Sequence, residues 1–208
     1  MLRKGGSSEL GRGRCLSAAG VTSVVLIMAL SARIASPQDM PVPMEIQLPL
    51  LLKILSADRQ LRERAGDELV IAVFYQPRYN ASVEAMETLL KEADRPIDPP
   101  IPDQPIRLVP VPLEGEPNWD SLLSALEVDV CYLAPLRATG LAPILSATRA
   151  RKIVTCTGVP EYVESGVTVA FGAKAGKPQI IINLESARAE GADFTSQLLK
   201  LARIIADG

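Results

Sequence analysis

The sequence predicts an α/β fold in which one mostly parallel sheet carries helices on both faces. Nearly continuous apolar runs rich in β-branched residues occur at 68–75, 128–133 and 152–156. Such runs are typical of strands that are buried on both sides. Helical patterns separate the runs, and strand–helix alternation indicates a parallel sheet. We find no internal repeat and no second domain.

A proline-containing strand and a hairpin fix the predicted topology. Pro110 and Pro112 interrupt the strand pattern at 106–113, and proline cannot donate to a ladder, so this strand is expected at the sheet edge. The strand patterns at 166–172 and 179–184 flank a turn, which predicts a β-hairpin. We therefore predict the flavodoxin-like strand order 2-1-3-4-5, followed by a C-terminal antiparallel hairpin strand.

The helices follow from apolar residues at helical spacing and from capping residues. One stripe contains Pro49, where a helix should either start or kink. The chain ends in an amphipathic pattern that predicts a helix over 195–206. The predicted helices are 45–55, 82–92, 118–126, 139–150, 186–190 and 195–206.

The first forty residues have the pattern of an export signal. Basic residues precede an apolar run at 16–32, and small residues close that run. We predict a signal peptide over 1–32, a linker over 33–43 and the α/β domain over 44–208. An uncleaved anchor that holds the chain at the inner membrane through residues 16–32 is the alternative, because this run approaches the length of a bilayer span.

Composition excludes several classes of function. The 208 residues include no histidine and three cysteines, so histidine-based catalysis and the common zinc sites are absent. The net charge of −2 and an aromatic content of 4% argue against nucleic-acid binding. Cleavage after residue 32 would make the net charge −5, because it removes four basic residues and one acidic residue.

The loop that follows the first strand lacks the glycines of a nucleotide-binding loop. It spans 76–82 and matches neither G-x-G-x-x-G nor the P-loop spacing. The acidic residues show no spacing that would assemble a general acid with a general base. We therefore predict a non-enzymatic protein without a cofactor or metal.

Polar residues after three of the strands form the candidate ligand site. Parallel sheets bind ligands beyond the carboxyl ends of their strands, where helix N-termini and a cation would favour a small anion. The alternative is that these residues cap helices or are solvated. The candidates are Asn80, Ser82, Arg137, Thr139, Thr157 and Gly158.

Two cysteines lie in neighbouring predicted strands. Cys131 and Cys156 would face an oxidising compartment after export, which favours a disulfide. Their positions along the two strands differ by about two residues, so the register for bonding is imperfect. A disulfide and a pair of buried free thiols both remain open.

The chain resembles the YfiR-like family of exported bacterial proteins over roughly residues 44–205, most closely after residue 128. The resemblance rests on 180–184 (IIINL), 187–188, Gly191 and 196–202 (SQLLKLA), and it extends to 129–133 (DVCYL) and to the stretch from Val154 to Phe171. The family often has an aromatic segment at the end of its first helix, where this chain has 52–58 (LKILSAD). That departure bears on which partner the chain would bind.

The resemblance implies a periplasmic, non-enzymatic regulator. Members of the family repress a membrane-bound diguanylate cyclase by binding its periplasmic sensor domain, and others lie beside sensor kinases or transporters. A membrane-bound sensor is thus the expected partner, and a homodimer would suit a dimeric receptor. The alternative function is a small solute-binding component of a transport system that uses the C-terminal edge of the sheet.

Overall fold

The computed structural model describes residues 39–96, 102, 104–115, 117–137 and 140–205. The predicted signal peptide or anchor at 1–32, part of the linker and Thr139 lie outside these residues. Within the described part of the chain, no helix is long and apolar enough to cross a membrane.

The described residues contain one seven-stranded sheet, and it has the predicted topology. The strand order is β2-β1-β3-β4-β5-β6-β7. The first five strands of this order are parallel, β6 is antiparallel to β5, and β7 is parallel to β6. The strands are β1 (Leu69–Tyr75), β2 (Ile106–Pro112), β3 (Val130–Leu133), β4 (Val154–Thr157), β5 (Val169–Lys174), β6 (Lys177–Asn183) and β7 (Arg203–Ile205).

Helices cover both faces of the sheet, as expected. The helix that contains Pro49 begins five residues before it, at Met44, so the proline lies inside the helix rather than at its start. The helices are α1 (Met44–Ser56), α2 (Leu61–Arg64), α3 (Asn80–Ala93), α4 (Trp119–Ala125), α5 (Ala142–Arg151), α6 (Leu184–Ala189) and α7 (Ser196–Leu201). A short 3₁₀ turn, Pro160–Val163, follows β4.

Alternation along the strands divides the apolar residues into two cores. In β1, Ile71 and Val73 pack with residues of α1 and α3, while Ala72 and Phe74 pack with residues of α4 and α5. Successive residues of a strand point to opposite faces, so a strand buried on both sides needs apolar residues at every position. This requirement explains the unbroken apolar run at 69–74, all of which is buried.

The C-terminal segment differs from the prediction. The helix predicted over 195–206 ends at Leu201, and Arg203–Ile205 forms β7 against Ile181–Asn183. Ala202 already has an extended backbone, with φ −89° and ψ 151°. The β-branched residues that follow favour a strand, and the open edge of β6 satisfies their backbone groups. The prediction failed because the apolar stripe of a short helix and that of an edge strand overlap here.

Candidate functional site

A cleft of about 440 Å³ lies at the carboxyl ends of β1, β2 and β3. It sits where the order β2-β1-β3 reverses direction, which is where open α/β sheets bind ligands. Its volume is within the usual range of small-molecule sites. The lining residues are Gln76, Pro77, Arg78, Tyr79, Leu113, Glu114, Gly115 and Arg137.

One glutamine joins two of the three loops that line the cleft. Gln76 follows β1, and its side-chain Nε2 donates to the carbonyl of Arg137 at 2.8 Å. Its Oε1 accepts the Arg137 N–H at 2.5 Å. The backbone N–H of Gln76 donates to Oγ of Ser82, at 2.9 Å, on α3. The loops after β1 and β3 are therefore tied to each other and to the first turn of α3.

Arg137 presents its guanidinium at the cleft in a stacked position. Its Cζ lies 4.3 Å from the centroid of the Tyr79 ring. A guanidinium over an aromatic face gains cation–π attraction, and the stacked arrangement restricts its rotamers. The two hydrogen bonds between Gln76 and its backbone, and the stacking of its side chain on Tyr79, together hold this cation in place.

The predicted site residues do not all lie at the cleft. Arg137 lines the cleft, while Ser82 is fully buried behind it and supports the loop. Asn80 is exposed at the start of α3, but it does not line the cleft, and the structure shows no side-chain cap on this helix. Thr157 and Gly158 lie elsewhere, and Thr139 is outside the described residues.

Thr157 and Gly158 are both buried. The hydroxyl of Thr157 donates to the Leu133 carbonyl and accepts the Val159 N–H, so it serves the backbone. A Cβ on Gly158 would lie 2.7 Å from Oε1 of Gln47, on α1. Helix α1 therefore covers the carboxyl end of β4. Sequence reasoning could not show this, because the contact joins segments more than one hundred residues apart.

Cys131 and Cys156 are buried free thiols on opposite faces of the sheet. In the β3–β4 register Cys131 pairs with Thr155, and Cys156 pairs with Tyr132. Paired residues on neighbouring strands share a face, so this one-residue offset points the two sulfurs into different cores. A bond between the two sulfurs would require one strand to rotate about its axis until both side chains share a face. This geometry therefore argues against the disulfide. Burial raises the pKa of both thiols well above 9.

A buried carboxylate that sequence reasoning missed lies between α6, β4 and β5. Glu190 is fully buried. Its carboxylate accepts hydrogen bonds from the backbone N–H of Thr155 (2.7 Å) and from the hydroxyls of Thr155 (2.8 Å) and Thr168 (2.6 Å). Burial raises its pKa from 4.5 to about 7, against the opposing effect of these donors and of nearby Arg149. The available signal was Thr155 inside β4 and Thr168 directly before β5, two polar residues with apolar neighbours.

Together, these observations describe an α/β fold with a cleft at its switch point. The chain belongs to the family described as DUF4154, YfiR/HmsC-like, whose model matches residues 62–203. No curated protein matches the chain.

Solved structures share the fold at low sequence identity. One is described as the ABC domain in complex with L-Trp from Streptococcus pneumoniae, with a TM-score of 0.52 and 16% identity over 78% of this chain and 62% of that one. Another is a conserved domain protein from Vibrio cholerae, with a TM-score of 0.50 and 17% identity over 79% of this chain and 60% of that one. The chain thus spans about three fifths of each structure. At this identity the likeness shows the fold alone.

Proposed function

We propose that the chain is a non-enzymatic periplasmic regulator that binds and modulates a membrane-bound sensor, such as a diguanylate cyclase or a sensor kinase. The observation that carries this proposal is family membership over residues 62–203. The export signal predicted over 1–32 supports the periplasmic location, with residues 33–43 as linker and 44–208 as the regulatory domain. The acidic mature chain also suits a protein partner better than a nucleic acid.

The side chains of the site support binding rather than chemistry. The cleft offers arginines, the carboxylate of Glu114, an aromatic ring and an amide, and the amide of Gln76 is engaged with Arg137. Glu190, the carboxyl with the raised pKa, is enclosed by threonine donors rather than exposed to a substrate. A buried group of this kind stabilises the fold and cannot reach a reacting molecule.

Crosslinking from intact cells tests the regulator. The full-length gene, tagged at its C-terminus, is expressed in its own host, crosslinked, and recovered from the inner membrane for mass spectrometry. We expect a diguanylate cyclase or a sensor kinase in the recovered complex, and a change in cyclic di-GMP or in kinase output when the gene is deleted. Recovery of no membrane sensor, with no change on deletion, would contradict the proposal. The mass of the recovered chain separates a cleaved signal from an anchor, and light scattering tests for a homodimer.

The second candidate is a small solute-binding component of a transport system. The cleft at the switch point favours it, and the S. pneumoniae structure of similar fold was solved in complex with L-Trp. A permease encoded beside this gene would support transport, whereas a neighbouring cyclase or histidine kinase would support regulation. A thermal shift with a metabolite pool, without any sensor in the crosslinked fraction, would favour this second function.

A further inference from the structure

The charges that line the carboxyl-edge cleft favour an anion. Arg78 and Arg137 contribute two positive charges, and Glu114 contributes one negative charge. Pro77 and Leu113 supply apolar surface beside them. A ligand with a negative group and an apolar body would match both parts of this lining.

Four backbone N–H groups in and beside the loop after β1 are engaged within the loop itself. The N–H of Gln76 donates to Ser82, and the N–H of Tyr79 donates to the carbonyl of Gln76. The N–H groups of Ser82 and Val83 both donate to the carbonyl of Tyr79. Phosphate sites at helix N-termini depend on such N–H groups pointing at the ligand. The positively charged donors that line the cleft are the guanidinium groups of Arg78 and Arg137.

Arginine side chains suit a carboxylate in this setting. A guanidinium binds a planar carboxylate through two parallel hydrogen bonds. The two hydrogen bonds with Gln76 and the stack on Tyr79 order Arg137 before any ligand binds. A cation that is already ordered loses less conformational entropy on binding, so the ligand binds more tightly.

We propose that this cleft binds a small organic carboxylate through Arg137 and Arg78, and that the bound carboxylate is the effector of the regulator. The effector role rests on the proposed function, whereas the binding step rests only on the cleft. The carboxylate lies against Arg137 and Arg78, and its apolar body packs on Leu113 and Pro77. Gln76 and Ser82 join the cleft to α3. A ligand at Arg137 therefore acts on the first turn of that helix through these two residues.

Binding is tested on the protein purified after expression of its full-length gene. Acetate, succinate and benzoate are titrated at millimolar concentrations by NMR, with benzamide as the neutral match for benzoate and inorganic phosphate as the competing anion. We expect saturable shifts at Arg137 and Tyr79 with at least one carboxylate and none with benzamide. Arg137→Gln and Arg78→Gln should each weaken that binding about tenfold, since each removes a charge-assisted hydrogen bond. Arg62→Gln, an exposed change on α2, is the matched control and should leave binding unchanged.

The outcomes separate this inference from the proposed function. Binding of none of the three carboxylates, tighter binding of phosphate, or equal loss in the Arg62→Gln control would overturn the carboxylate site. Carboxylate binding with no sensor in the crosslinked fraction would leave the site standing and refute the regulator. Sensor recovery that is identical for wild type and Arg137→Gln, with and without the bound carboxylate, would refute the effector role alone.

Discussion

Glu190 links three elements through one buried carboxylate. Its oxygens accept hydrogen bonds from the backbone N–H of Thr155 and from the hydroxyls of Thr155 and Thr168. The hydroxyl of Thr148, on α5, lies 3.5 Å from Oε1 of Glu190. Such a set of donors favours the ionised form, while burial favours the neutral acid. Burial is the larger effect, so the pKa rises to about 7.

The raised pKa of Glu190 predicts a distinct dependence of stability on pH. Its pKa is 4.5 in the unfolded chain and about 7 in the folded one, so the folded state binds the proton more tightly. The stabilisation is therefore complete below pH 4.5 and is lost as the pH rises through 7. We expect Glu190→Gln to remove this contribution, which is on the order of 3 kcal/mol. The measurement is the difference in free energy of unfolding between wild type and variant, by urea denaturation across this pH range.

An exposed carboxylate provides the control for that profile. Glu87 is exposed on α3, and Glu87→Gln should follow the wild-type pH profile within error. The difference between wild type and Glu190→Gln should shrink as the pH rises from 4.5 to 7. A difference that stays constant across this range would mean that Glu190 titrates like an ordinary surface carboxyl, and the assignment would be wrong.

At the scale of elements, the docking of α1 decides which part of the carboxyl edge stays open. Gln47 is fully buried on this helix, and its Nε2 donates to the Val42 carbonyl at 2.7 Å. Its Oε1 accepts the hydroxyl of Tyr132, on β3, at 2.6 Å. The amide fits only because Gly158 has no side chain. Helix α1 thus covers the carboxyl end of β4, and the open cleft is lined by residues that follow β1, β2 and β3.

Gly158→Ala tests this docking. The new Cβ would lie 2.7 and 2.8 Å from the amide of Gln47 and 2.9 Å from Sδ of Met40. The amide would have to move and leave two buried hydrogen bonds, which costs about 2–4 kcal/mol of unfolding free energy. Chemical denaturation measures the loss, and hydrogen exchange should speed up across α1 first. Gly66→Ala is the control, since nothing lies within 4 Å of its Cβ position, and an equal loss there would refute the account.

At the scale of the whole molecule, the sequence predicted what short-range patterns encode. The unbroken apolar run of β1 and the prolines of β2 were sufficient to place the centre and one edge of the sheet. At the other edge, a six-residue helix and a three-residue strand share one apolar stripe, so β7 was read as helix. Its assignment depends on the free edge of β6, which is a feature of the assembled sheet.

The candidate site was predictable in part for the same reason. Arg137 could be placed at the carboxyl edge, because every parallel strand ends there. The covering of Gly158 by α1 could not be predicted, because it depends on packing between distant segments. Glu190 was also hidden, since its donors come from separate strands and its own segment carries no motif.

The sheet separates the two cores, and this separation predicts the state of the cysteines. Cys131 and Cys156 are each fully buried, on opposite faces, with thiol pKa values raised by burial. A thiol kept protonated and away from solvent reacts slowly. Without reductant, we expect no alkylation of either cysteine in the folded protein and complete alkylation of both after denaturation, by peptide mass spectrometry. An exposed thiol introduced by Ser124→Cys on α4 should react in the folded protein, which shows that the reagent is active. Reductant should leave the melting temperature unchanged. A disulfide-linked peptide that contains both residues would contradict the placement of the two cysteines on opposite faces of the sheet.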